Sequence, residues 1–168
     1  DLEKLLDLAA RIEAKEIAFE KIDFRRAKFQ ECKFEKIGLD RTDFSETEMR
    51  GVSFHLMSFE SAQLKGAKLA DVFFERCIHV GSDFSERNIG PIVFEGSDLS
   101  KGTFKTSRVE KGIFLRCALV DTSFRRTQLI DSLFEELSLE GADFSGAVLE
   151  RTRFQNCKFD GALFAPSR

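Results

Sequence analysis

The sequence has no tryptophan and no tyrosine, only two prolines, and only two histidines in 168 residues. No apolar run approaches the roughly 20 residues that a bilayer-spanning helix needs, and no basic, apolar and small-residue succession marks a secretory leader. A membrane role is therefore not expected. Charge of one sign is missing too: 26 basic and 29 acidic residues are interleaved and leave a formal net charge of −3. No basic tract offers to neutralise a phosphate backbone, so direct nucleic-acid binding is not expected. The chain is expected to be soluble and cytoplasmic, and at this length one domain is the default. It begins at Asp1 without a methionine, which allows it to be a piece of something longer.

What the sequence does contain is a repeat of five. Central positions from residue 19 to residue 164 give thirty sites: eighteen Phe, eight Leu, and one each of Met49, His79, Ile89 and Val109. Eighteen of the nineteen phenylalanines fall in this register, which never slips; Phe73 is the exception. Two residues before each centre the side chain is small or medium, as at Ala27, Cys32, Thr42, Thr47, Ala62, Ala142 and Thr152. A period of five fits neither a helix at 3.6 nor a flat strand at 2. The chain must turn at each repeat, sending one large and one small side chain inward, as a solenoid does.

The stretches "GADFSGAVLE", "GSDLSKGTF" and "CKFDGALF" closely resemble the pentapeptide repeat family, over about residues 17–165. The resemblance implies an all-β solenoid, a right-handed quadrilateral parallel β-helix with four pentapeptides per coil and about 7.5 coils. The sequence itself supports a period of 20 residues. Sorted in steps of 20, the ladder 34, 54, 74, 94, 114, 134, 154 is all Phe, the ladder from 24 to 164 is Phe except for Leu64, and the two between are largely aliphatic. Residues 1–16 read as an N-terminal amphipathic capping α-helix, with Leu2, Leu5, Leu6, Ala9 and Ile12 at helical spacing and Asp1 as N-cap. Residues 17–165 form the β-helix and 166–168 a tail; the C-terminal end has no such cap, so either the chain is cut there or that end is expected to pair with something.

Candidate chemistry is sparse. Cys32, Cys77, Cys117 and Cys157 all take positions two before a centre. The last three share a ladder at intervals of two coils, roughly 10 Å, too far for a disulfide. With no CxxC and no histidine pair, no metal and no cofactor are expected. His55 and His79 lie on different coils, a filled interior offers no cleft, and no catalytic residues are assigned. One coil, residues 77–96, is irregular: His79 occupies a central site, Arg87 a site whose ladder neighbours are Ala67 and Ser107, and Pro91 cannot donate a ladder hydrogen bond. His79 is expected to stay neutral, fill the slot between Phe59 and Leu99, and bond a turn carbonyl. Arg87 is expected to bend outward or to find a carboxylate such as Asp83 or Glu86.

The surface carries more. One residue before the all-Phe ladder stand Lys33, Ser53, Phe73, Val93, Ile113, Leu133 and Arg153, all expected to face solvent. Phe73, Val93, Ile113 and Leu133 make an apolar stripe over four successive coils, adjoined by Leu115, with Ile78, Val80 and Val120 past the next corner. Glu75, Glu95 and Glu135 edge it. Such a strip fits a protein-docking surface, although strand-forming side chains on a half-buried sheet also produce one. The leading expectation is a non-catalytic protein–protein binding module or scaffold, working with another protein or through self-association at this stripe or at the C-terminal end. The resemblance also implies an alternative, since several family members bind DNA gyrase as dimeric, acidic, DNA-mimicking rods. Arg25, Arg26, Lys65, Lys105, Arg125 and Arg126 line the face of Phe24 and oppose that mimicry. A third option is a recognition or spacer arm of a larger multidomain protein.

Overall fold

Among the described residues, pairing partners lie 20 positions apart and every pairing is parallel. The computed structural model describes residues 17–18 and 23–166. The capping helix expected over 1–16 lies outside the described residues. Two faces of the rod are seven-stranded parallel sheets. One is built from Lys33–Glu35, Ser53–His55, Val72–Glu75, Ile92–Glu95, Gly112–Leu115, Leu133–Glu135 and Arg153–Gln155. The other runs from Lys28–Gln30 to Val148–Glu150. The remaining two faces are held by single bridges, from Asp23↔Asp43 to Asp143↔Leu163 and from Gly38↔Ser58 to Ser138↔Lys158, the second opening on a two-residue pair of Ile17–Ala18 with Ile37–Gly38. Four faces per 20 residues make this a quadrilateral parallel β-helix. Among the described residues no helix is long and apolar enough to cross a membrane.

The repeat produces this shape through its inward rows. Phe34, Phe54, Phe74, Phe94, Phe114, Phe134 and Phe154 stack with ring centroids 4.5–5.4 Å apart and nearly parallel planes, close to the ~4.8 Å strand spacing. The opposed row, Phe84 through Phe164, stacks at 4.8–5.0 Å. Rings of the two rows meet edge to face across the core, for example Phe94 and Phe104 at 86°, the arrangement that matches ring edges to ring faces. The aliphatic rows, such as Met49, Leu69, Ile89, Val109 and Leu129, are buried between them.

The small side chains two before each centre do more than fit. In several coils their hydroxyl or thiol donates to the carbonyl of the central residue 23 positions earlier: Ser82 to Phe59 at 2.8 Å, Ser107 to Phe84 at 2.6 Å, Thr127 to Phe104 at 2.6 Å, and Cys117 to Phe94 at 3.2 Å. The buried thiols are thus hydrogen-bonded as well as small. Burial pushes the Cys77 thiol up to about 12 and that of Cys117 to about 11, so both stay protonated and unreactive. All four cysteines are free.

Corners follow one rule. Among the described residues, the second residue after each centre adopts a left-handed conformation except at the two prolines, as at Glu31 (φ 52°), Arg126 (φ 54°) and Gly96 (φ 57°). A side chain there is strained by about 1–2 kcal/mol. The corner N–H offsets part of that by bonding the next coil, as Glu31 N–H does to Arg50 O at 3.0 Å and Arg126 N–H to Ser145 O at 3.0 Å. Ion pairs between stacked corners and rims, such as Arg26–Glu46 and Lys68–Glu48 at 2.8 Å, lie in solvent and add little.

Candidate docking surface

The outward row on the first sheet is continuous. Phe73 is the Cα partner of Val93, Val93 of Ile113, and Ile113 of Leu133, with Ser53 before them and Arg153 after. The strand alternation forces this, because Phe74, Phe94, Phe114 and Phe134 take the inward sites. Ile113 is 36% exposed; Phe73, Val93, Leu133 and Leu115 are half-buried by their neighbours in the row. Around the corner Ile78 is 42% exposed, while Val80 and Val120 are half-buried. Sequence reasoning missed Leu56, an exposed leucine at a left-handed corner. Its signal was available, since other corners hold polar residues or glycine apart from the two prolines.

The acidic margin is also aligned, Glu75 beside Glu95, then Leu115, then Glu135. It is partly neutralised from within. Arg116 does this, pairing with Glu95 and reaching Glu136 at 3.7 Å, while Glu75 lies 3.1 Å from His55 Nδ1, a contact that is ionic only when the imidazole is protonated. Asp71 and Glu135 have no ion-pair partner among the described residues.

Two expectations for the irregular coil need correction. His79 does fill the slot beside Phe59, stacked on it at 4.8 Å, with Phe74 edge-on at 4.6 Å and Phe84 and Phe94 completing the cage. Neither ring nitrogen has a hydrogen-bond partner, however. The nearby Phe59 carbonyl already accepts from Ala62 N–H and Ser82 Oγ, and the ring points into the core instead of toward the corner. Burial alone drives its pKa down to about 3. Arg87 neither bends outward nor pairs directly with a carboxylate. It is 7% exposed and donates to three main-chain carbonyls, those of Leu64, Asp83 (3.1 Å) and Ser85 (3.0 Å). Leu64 stands 23 positions earlier, so the guanidinium takes over the role that a serine or threonine hydroxyl has in other coils. Burial lowers its pKa to about 10, with the Asp83 charge opposing the shift, and it remains a cation at neutral pH.

That substitution distorts the turn. Elsewhere on this face the residue two before the centre closes the corner, as Ser107 N–H does to Phe104 O at 3.1 Å; Arg87 N–H goes to Ser107 Oγ at 3.3 Å. Pro91 then occupies a corner where its ring fixes φ negative and no N–H exists, and Val72 N–H bonds Pro91 O at 3.2 Å. Pro91 stands two residues before Val93, at the edge of the apolar row. At the other end of the rod, the central residues Leu149, Phe159 and Phe164 are exposed, because no further coil covers them among the described residues. No group of three or more His, Cys, Asp or Glu side chains that could hold a metal ion occurs among the described residues.

Comparison with known proteins places this geometry. A family model described as the pentapeptide repeat region matches residues 13–84 and 88–164. The match breaks at residues 85–87, where Arg87 opens the turn. No curated protein matches. Among solved structures, the chain is similar to HetL, a pentapeptide repeat protein involved in heterocyst differentiation regulation from the cyanobacterium Nostoc sp. strain PCC 7120, at TM-score 0.55 and 14% identity over 98% of this chain and 91% of that one. It is also similar to trypsin-treated QnrB1, a plasmid-mediated fluoroquinolone resistance protein, at TM-score 0.48 and 16% identity over 85% and 80%. A pentapeptide repeat protein of the Arabidopsis thaliana thylakoid lumen follows at TM-score 0.31 and 24% identity over 65% and 62%.

Proposed function

This chain belongs to the pentapeptide repeat family, and from that premise we propose that it acts as a non-catalytic binding module, offering the sheet face of Phe73, Val93, Ile113 and Leu133 to another protein. The observation that carries the reading is the pairing of those four residues in consecutive strands. An outward row built from serine, lysine and arginine at its ends and from apolar side chains in its middle is a bounded patch, as docking surfaces are. The interior supports the same reading: it is filled by stacked rings and aliphatic rows, so recognition belongs to the outside of the rod.

Replacing Phe73 and Ile113 together by Lys tests it. Neither side chain faces the core, so the variant should keep its strand signal and melting behaviour while losing its partner. A photo-crosslinking residue at Val93 should capture a protein that the same probe at Ser123, on the opposed face, does not. Equal capture from both positions, or a partner retained by the double variant, would remove the role from this face. A topoisomerase-directed role gains nothing from the opposed face, where Arg25, Lys65, Lys105 and Arg125 are exposed. A gyrase supercoiling assay at micromolar protein checks that role, and unchanged supercoiling is the expected result.

A further inference from the structure

Granting the docking role proposed above, the charges around the apolar row restrict what occupies it. Residues 71–76, 91–96, 111–116 and 131–136, the four strands with their flanking corners, hold six carboxylates and three cations. This one patch therefore carries the chain's entire formal imbalance of −3. Asp71 and Glu135 stand at diagonally opposite corners of it, both without an ion-pair partner among the described residues.

A second copy of the chain fits poorly. Two such faces packed about a dyad along the strands reverse the order of coils, which sets Glu75 against Glu135 and Asp71 against Asp131 of the other copy, and only Arg76 against Glu136 as a complementary pair. A dyad along the rod axis reverses the strand direction instead, which sets Glu75 against Asp71 and Glu135 against Asp131. Both arrangements oppose like charges in a partly desolvated interface, a mismatch that costs several kcal/mol at close range. The patch asks for cations that a second copy of the same face does not supply.

The spacing of the row selects the backbone that brings them. Ring stacking behind the row sets the coil interval at 5.0 Å from Phe74 to Phe94, 5.4 Å to Phe114 and 4.5 Å to Phe134. An extended segment along the rod presents a side chain to one face every ~6.7 Å and falls out of step within three coils. An α-helix presents one per ~5.4 Å turn and stays within reach of all four rows over about 10 residues. We infer that the occupant is an amphipathic α-helix of a different protein, lying along the rod axis with its apolar stripe on Phe73, Val93, Ile113 and Leu133 and with lysines or arginines flanking that stripe.

The probe is a fluorescent, lactam-bridged peptide of about 14 residues with leucines at i, i+3, i+7 and i+10 and lysines beside them. One twin carries glutamates for the lysines and another serines for the leucines. Measured by anisotropy against the full chain, the lysine peptide should bind, and affinity should fall about tenfold or more for either twin and for Phe73→Lys/Ile113→Lys. Glu75→Gln/Glu135→Gln should weaken it about threefold and flatten its salt dependence. Should the double lysine variant fail to fold, Ile113→Ser alone carries the same test at an exposed site. No binding, or equal binding of the glutamate twin, overturns the helix. Sedimentation velocity then separates the two claims. A dimer that Phe73→Lys/Ile113→Lys dissolves overturns the helix and keeps the docking role, whereas a lysine peptide bound equally by that variant overturns both.

Discussion

The ring of His79 keeps both nitrogens away from water with a partner for neither, inside a cage of four phenylalanines. An unpaired buried polar group costs about 1–3 kcal/mol. Its pKa is about 3 in the fold against 6.5 in solution, so the unfolded chain takes up this proton first as the pH falls. The site's contribution to stability is therefore fully present above pH 6.5, declines below it, and is lost as the pH approaches 3; by pH 5 the loss is about 2 kcal/mol. His79→Leu, which matches Leu99 above it, is expected to raise the urea midpoint at pH 7 and to flatten the change between pH 7 and pH 5. The exposed carboxylates titrate in both proteins and cancel in that comparison, so an equal pH dependence in both would clear the histidine. At Arg87 the three carbonyls it satisfies decide the outcome. Arg87→Met should leave the Asp83 and Ser85 carbonyls without this donor, and Leu64 O with Ala67 N–H alone, and destabilise by about 2–3 kcal/mol, while Arg87→Ser, which keeps a donor for Leu64 O and lets the turn close, should cost less than half of that in thermal melts.

The corner is the element that the sequence disguises best. Its left-handed residue is filled by twenty side chains other than glycine, from Arg26 to Asn156, so the usual glycine signal of a turn is diluted to near invisibility. What was legible was the period that the corners impose, because a buried Phe every fifth residue leaves no other path for the chain. The donors from Ser82, Ser107, Thr127 and Cys117 were not legible, since residue and carbonyl stand 23 positions apart and meet only once the coils are stacked. For the same reason Arg87 read as a charge in need of a carboxylate. The corner strain itself is testable at Arg126, φ 54°, on the face opposed to the apolar row. Arg126→Gly should stabilise by about 1 kcal/mol, because glycine adopts that conformation without a clash. Arg126→Pro should destabilise by about 3 kcal/mol or more, by forbidding the conformation and deleting the bond to Ser145 O. Melting temperatures in the order Gly, Arg, Pro check both, and a melting temperature unchanged by proline would refute the corner account.

For the whole rod, stability is a sum over coils and the contacts between neighbours, and the ladders make a strict demand about which coils are interchangeable. The demand follows from the faces: centres 20 residues apart share a ladder, so Phe94 stacks on Phe114 and Val93 pairs with Ile113, while centres five apart belong to different faces. Residues 71–136 show why the docking row was readable at all. The row repeats with the same period as the core, and its one out-of-register phenylalanine, Phe73, stands where solvent should be. Deleting residues 97–116 removes one full coil and joins Gly96 to Cys117, corner to inward small residue, as in the intact chain. That protein should unfold cooperatively with a urea m-value lower by about an eighth, and should keep Phe73, Val93 and Leu133 in one row with Ile113 gone, so that partner affinity falls without vanishing. Deleting only residues 97–101 shifts every later centre by one face. Phe104 then lies on the ladder of His79, Phe114 falls behind Ile89, and the edge-to-face contacts between the two ring rows are lost. The shorter deletion should therefore be the more damaging one, with a broad, early melt against a sharp one for the longer. A five-residue deletion as stable as the twenty-residue one would show that ring stacking does not hold the rod in register.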